Sequence, residues 1–168
     1  LPEFSLAETT VQLLKSMVRA GEINHLVPER VFKELQKALE TPHADKFFAV
    51  LEQAGALKIL CPEWQDYQCV TLGEDAVSRF MLLCADLNES SVRALAERLR
   101  VPSIYLEMAL LIVRFKSLYQ EADSAEKILD VLQMTDALRR PERLHAYLKV
   151  CALLFRVDKQ AIYEVALR

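Results

Sequence analysis

Glycine and proline are scarce in this chain, with three glycines and six prolines in 168 residues. Hairpin-rich sheets need turn residues that tolerate positive φ, so a sequence this poor in them is expected to be all-α. The four cysteines, Cys61, Cys69, Cys84 and Cys151, include no C-x-x-C pair. Neither a zinc site nor a disulfide framework is indicated, and they read as reduced thiols. Purely apolar runs such as Met108 to Val113 fall far short of the ~20 residues that cross a bilayer, and no signal peptide is evident. The expectation is a soluble, cytoplasmic protein with no membrane partner. Catalytic patterns are missing too: no G-x-S-x-G, no phosphate-cradling glycine loop and no recognisable Cys–His pair. His25, His43 and His145 are scattered, without the carboxylate or second histidine that a metal helix carries three or four residues away. No catalytic and no metal-binding residue is assigned.

The chain instead has apolar residues at helical spacing, 52% hydrophobic residues against 27% charged, and length enough for a substantial core. Ser5 and Glu8 form an S-x-x-E capping box, with Val11, Leu14 and Val18 behind it and Gly21 as a C-terminal cap, which predicts a helix over about 6–20. Pro28 opens PERVFKELQKALE, where Glu29–Lys33 and Arg30–Glu34 are expected ion pairs. Phe47, Phe48, Val50, Leu51 and Ala54 fill a third helix that Gly55 closes. The stretch LKILCPEWQDYQCVTLGED then reads as a loop-like connection, followed by a helix from about Asp75 to Leu87. Further helices are expected over 90–100, 103–119, 124–134, 141–155 and 158–168, introduced by Ser90, Ser103, Ser124, Pro141 and Asp158. Ile104 to Leu118 is apolar on nearly every side, the mark of a helix surrounded by others.

The net charge of −3 conceals an asymmetry. Residues 1–91 hold 8 Lys and Arg against 14 Asp and Glu, whereas residues 92–168 hold 13 against 10. The second half leans toward anionic partners. Within it, SVRALAERLRVPSIYLEMAL has the outline of a DNA-binding helix-turn-helix, but its second helix offers Ile104, Tyr105, Leu106 and Met108 where base readers need Arg, Gln or Asn. DNA is therefore not expected as a partner. Arginines gather twice, as Arg93, Arg98 and Arg100 and as Arg139, Arg140 and Arg143, and a guanidinium can grip a phosphate with two parallel hydrogen bonds. Trp64 can stack on a base or cover the edge of a core, and the second role is the commoner. Asp86, closing the apolar run RFMLLCAD, poses a separate question: what holds a carboxylate at the end of a helix whose dipole disfavours it?

The order of FSLAET, GEINHLVPERVFKEL, FFAVLEQAGALKIL and CPE resembles the neck and body of bacterial tRNA nucleotidyltransferases, the CCA-adding enzymes, and of the related poly(A) polymerases. More weakly, LLCADLN, ERLRVP and TDALRRPERL resemble a phosphohydrolase-like (HD-like) helical domain that many bacterial members carry. Alanine at position 85 stands where that domain has a metal-binding histidine and Asn88 where it has glycine. The resemblance therefore implies a neck over residues 1–60 and a degenerate, metal-free HD-like body over 61–168. It further implies that the two-aspartate catalytic head and its E-D-x-x-R motif, with Mg and CTP or ATP, lie outside this chain, which begins where that motif has just ended. On this reading the chain positions tRNA or another RNA, has no cofactor and is inactive alone. Arg93, Arg98, Arg100, Arg139, Arg140 and Arg143 would contact RNA, Glu29 and Arg30 would brace the N-terminal head, and Asp86 would be the remnant of a lost site. The corresponding region of a poly(A) polymerase, or a helical protein-interaction module without RNA affinity, are the alternatives.

Overall fold

A computed structural model describes residues 8–167, and among them there are helices and no strands. Ten α-helices follow in order: α1 (Glu8–Arg19), α2 (Pro28–Leu39), α3 (Ala44–Gln53), α4 (Leu57–Leu60), α5 (Ala76–Cys84), α6 (Glu89–Leu99), α7 (Ser103–Glu121), α8 (Ala125–Met134), α9 (Pro141–Phe155) and α10 (Gln160–Ala166). Tighter 3₁₀ turns occupy Glu22–His25 and Gln68–Leu72. The expected capping box at Ser5 falls outside the described residues.

Local chemistry sets most boundaries. Gly21 and Gly55 take positive φ after α1 and α3, as chain reversals there require. The Asp75 carboxylate accepts from the Ser78 amide while the Ser78 hydroxyl reaches back to the Asp75 amide, a reciprocal cap that starts α5. At α6 the cap is Asn88 and not Ser90. The Asn88 side-chain oxygen accepts from the Ser91 amide at 2.8 Å, and the Ser90 hydroxyl donates to that same oxygen. The connection after α3 is also more ordered than its sequence suggests, because it contains α4 and the Gln68–Leu72 turn. Leu57, Cys61, Trp64, Tyr67 and Val70 from this stretch are buried, so packing and not turn chemistry shapes it.

Two helices are apolar on more than one side because each separates two cores. Phe80, Leu83 and Cys84 of α5 and Tyr105, Ala109 and Leu110 of α7 face one cluster with Phe32, Leu35, Phe48 and Trp64. Met81 and Leu82 of α5 and Met108, Leu111 and Ile112 of α7 face a second cluster with Val131, Tyr147, Val150 and Tyr163. α7 touches α5, α6, α8 and α9 and is the axis of the fold. The second half of the helix-turn-helix pattern is therefore mostly core. The first cluster draws from both sides of residue 60, and aromatic edges knit it: Phe80 lies 6.1 Å from Phe32, 5.4 Å from Tyr105 and 5.8 Å from Trp64 between ring centroids. Trp64 is only 2% exposed, which assigns it to the core.

Arg79 is the charged side chain that the apolar patterning of α5 conceals. It is 5% exposed. Its Nη1 donates to the Leu39 carbonyl at 2.6 Å and its Nε to the Val70 carbonyl at 3.2 Å. Leu39 ends α2, so the guanidinium satisfies a carbonyl that the helix leaves open and meets the negative end of its dipole. Gly73 makes room for this arrangement. A Cβ on Gly73 would lie 2.6 Å from the Arg79 Cγ and 3.0 Å from its amide nitrogen. The glycine is required by close approach, since its φ of −75° suits any residue.

At the far end α10 is tied down by Lys159. Its Nζ donates to the carbonyls of Tyr119 (2.7 Å), Gln120 (3.1 Å) and Ala122 (3.3 Å), closing the C-terminus of α7. The Tyr119 hydroxyl donates to the Val157 carbonyl and accepts from the Lys159 amide.

Replacing Arg79 with Met leaves two buried carbonyls without donors, and the expected loss of stability in urea denaturation is roughly 2–4 kcal/mol. Gly73→Ala drives its methyl into Arg79 and is expected to cost about 1–3 kcal/mol in the same measurement. Unchanged unfolding midpoints for both variants would contradict the clasp.

Candidate nucleic-acid interface

Three elements bring the arginines of the second half to the surface: α6, α7 and the turn that leads into α9. Arg93 lies on α6 and Arg100 caps that helix with a left-handed backbone, φ 53°. The two are seven residues apart, two helical turns, and so share a face. Both line an open cleft of about 370 Å³ with Ala96, Glu97, Val101 and Leu106.

Arg114, which the arginine clustering in the sequence does not single out, joins this surface from α7. Glu89, at the start of α6, accepts from Arg93 at 3.1 Å and also pairs with Arg114. Hydrogen bonds from Arg114 and then Arg93 hold the Glu89 carboxyl down at about 2, well below its usual range. Glu89 therefore stays ionised through neutral and mildly acidic pH and keeps both guanidinium groups oriented. The stabilisation it provides is present above the ordinary carboxylate value and is lost only as pH falls toward 2. Only the tertiary contact between α6 and α7 makes Arg114 visible, because Glu89 is 25 residues away.

The remaining arginines differ in how free they are. Arg98 grips Glu63 with two nitrogens at 2.9 and 2.6 Å and also donates to the Leu60 carbonyl, so it braces α6 against the segment after α4. Arg139 is 83% exposed at the turn, loosely paired with Asp136 at 3.4 Å. Arg140 reaches Glu107 of α7 at 3.2 Å. Arg143 is half-buried and its Nε has no hydrogen-bond partner among the described residues. Glu107 and Arg114 lie seven residues apart on α7, so the salt bridge from the α9 turn and the Glu89 node fall on the same side of that helix. The structure thus places Arg93, Arg100, Arg114, Arg139 and Arg140 as exposed or partly exposed cations.

Glu29 and Arg30 both lie exposed in the first turn of α2. The expected pair between Arg30 and Glu34 is replaced by Lys37–Glu34 at 2.7 Å. Arg30 and Glu34 instead rim an otherwise largely apolar groove of about 510 Å³, floored by Leu14, Val31, Leu35, Val50 and Leu51.

Asp86 lies just beyond the end of α5 with its side chain 96% exposed, and what holds it is a lysine. Lys116 of α7 donates to Asp86 at 3.0 Å and to the carbonyl of the buried Ala85. The ammonium supplies the positive charge that the C-terminal dipole of α5 calls for. Among the described residues no three His, Cys, Asp or Glu side chains converge as a metal-binding group. The four cysteines are free, and burial pushes Cys61 and Cys151 up to about 12 and Cys69 up to about 11, so these thiols stay protonated and poorly nucleophilic. No described helix is long and apolar enough to cross a membrane.

Residues 3–68 match a family model described as "Probable RNA and SrmB- binding site of polymerase A". Over 163 residues, 91% of this chain and 43% of the relative, the chain is 40% identical to a CCA-adding enzyme of Coxiella burnetii. It is 38% identical to the CCA-adding enzyme of Bordetella pertussis over 95% of this chain and 45% of the relative. A multifunctional CCA protein of Laribacter hongkongensis is 36% identical across 193 aligned positions, 88% of this chain and 48% of the relative. That alignment is longer than the 168-residue chain, so the relative carries segments that this chain lacks. The chain spans less than half the length of these curated relatives. No solved structure matches it. The ordered motifs, the all-helical fold and these identities together make the chain similar to part of the CCA-adding enzymes and poly(A) polymerases.

Proposed function

We propose that this chain is the RNA-positioning part of a tRNA nucleotidyltransferase that adds CCA to tRNA 3′ ends. The observation that carries the reading is the basic face of α6, α7 and the α9 turn, found in a chain 40% identical to a CCA-adding enzyme. Guanidinium groups on a rigid helical surface suit a folded RNA, whose backbone is recognised by shape and phosphate contacts more than by base edges. Arg93 and Arg114 are oriented by Glu89, Arg140 by Glu107, and Arg139 is the most open to solvent. Orientation by a carboxylate lowers the entropy lost when the guanidinium meets a phosphate.

Nucleotidyl transfer, with its Mg and its CTP and ATP, would belong to the catalytic head of the family, and these helices would hold the tRNA against it in the cytoplasm. The apolar groove rimmed by Arg30 is where we place that head, since an apolar surface of this size is otherwise costly to leave in water. A second reading, that the chain holds the 3′ tail of an RNA as part of a poly(A) polymerase, draws on the family model over residues 3–68.

The test is binding of unmodified tRNA at two salt concentrations. The triple variant Arg93→Ala, Arg114→Ala and Arg139→Ala is expected to lose roughly tenfold or more in affinity. It should also lower the slope of log K against log salt by about one for each phosphate contact removed. Wild-type affinity and slope in that variant would refute these contacts.

A further inference from the structure

The cleft on α6 is more specific than a phosphate-binding surface needs to be. Its floor is apolar, made by Ala96, Val101 and Leu106, while two arginines and one glutamate stand on its walls. A plain phosphate track has no use for an apolar floor and is weakened by a carboxylate. Glu97 is exposed and, among the described residues, forms no salt bridge and no side-chain hydrogen bond, although Arg93 and Arg100 line the same cleft. Arg100 likewise pairs with no carboxylate among the described residues, and it occupies the left-handed region, φ 53°, which favours glycine. The left-handed backbone of Arg100 is how α6 ends, with the amides of Arg100 and Val101 closing on the last turn. Among the described residues, however, its guanidinium and the Glu97 carboxylate beside the apolar floor have no partner that fold stability would supply.

We infer that this cleft binds one unpaired RNA nucleotide whose base carries an exocyclic amino group. The inference rests on the RNA-positioning reading above and narrows it. The apolar floor and the flat guanidinium of Arg100 offer a base two faces to lie between, as unstacked bases do on apolar, aromatic and arginine surfaces. Arg93, held by Glu89, takes the phosphate. Glu97 accepts from the amino group of cytosine or adenine, the pairing by which carboxylates read cytosine. Uracil presents carbonyl oxygens at that edge and is repelled. The volume, about 370 Å³, lies near the lower end of small-ligand sites and fits a single nucleotide better than a duplex edge. At the surface of an RNA-positioning domain, such a site would fix an unpaired nucleotide of the bound RNA and so set the register of the molecule.

The experiment compares binding of hexacytidylate, hexauridylate and tRNA to the 168-residue chain and to two variants, Glu97→Ala and Arg100→Gly. Glycine suits the left-handed position, so the fold is retained when the Arg100 side chain is removed, and circular dichroism verifies it for both variants. The expected result is hexacytidylate bound roughly tenfold more tightly than hexauridylate, about the value of one charge-assisted hydrogen bond. Glu97→Ala erases that preference, and Arg100→Gly weakens both oligomers. If tRNA binds but the hexamers do not, or if the cytidine preference is absent or survives Glu97→Ala, the nucleotide site is overturned and the broader RNA reading stands. If neither tRNA nor either hexamer binds, both fall.

Discussion

The fold depends on a buried cation that pairs with no anion among the described residues. Arg79 places a guanidinium between the last carbonyl of α2 and the carbonyl of Val70, joining the N-terminal helices, the ordered connection and the central helix pair. A charge in that position is tolerable only because its donors are met by carbonyls that would otherwise be orphaned, one of them at the negative end of a helix dipole. Gly73 is fixed by the same contact. The aromatic cluster around Phe80 then packs beside a clasp that already sets where α2 and α5 lie.

From that clasp follows the division of labour between α5 and α7. Because each feeds two hydrophobic clusters, neither has a free apolar face, and the charged residues of α7 are restricted to narrow strips. Glu107, Arg114 and Lys116 occupy those strips, and each meets a partner from another element: Arg140, Glu89 and Asp86. The proposed RNA-binding surface is thus an outcome of core packing. Cations are presented where the two cores leave α7 uncovered, and carboxylates from neighbouring helices hold them in place.

The same geometry organises the LLCADLN region at the end of α5. Ala85 is buried and Asp86 is turned to solvent, while Lys116 binds both the aspartate and the Ala85 carbonyl. An ammonium from α7 provides the positive charge at this helix end.

Most helix positions, the all-α class and the family resemblance were legible from the sequence, because periodicity, caps and ordered motifs are local properties that the chain carries wherever it folds. Asp75, Gly21, Gly55, Pro28 and Pro141 mark element ends by their own backbone and side-chain chemistry. What tertiary structure alone decided is which polar groups are buried, paired or free. Arg79 looks like a surface residue until Leu39, 40 residues earlier, is placed over it. Arg98 looks like Arg93 until Glu63, 35 residues away, closes on it, and Arg114 gains its place only when α6 and α7 bring Glu89 alongside. Those pairings depend on distance in space between residues remote in sequence, which no local pattern encodes.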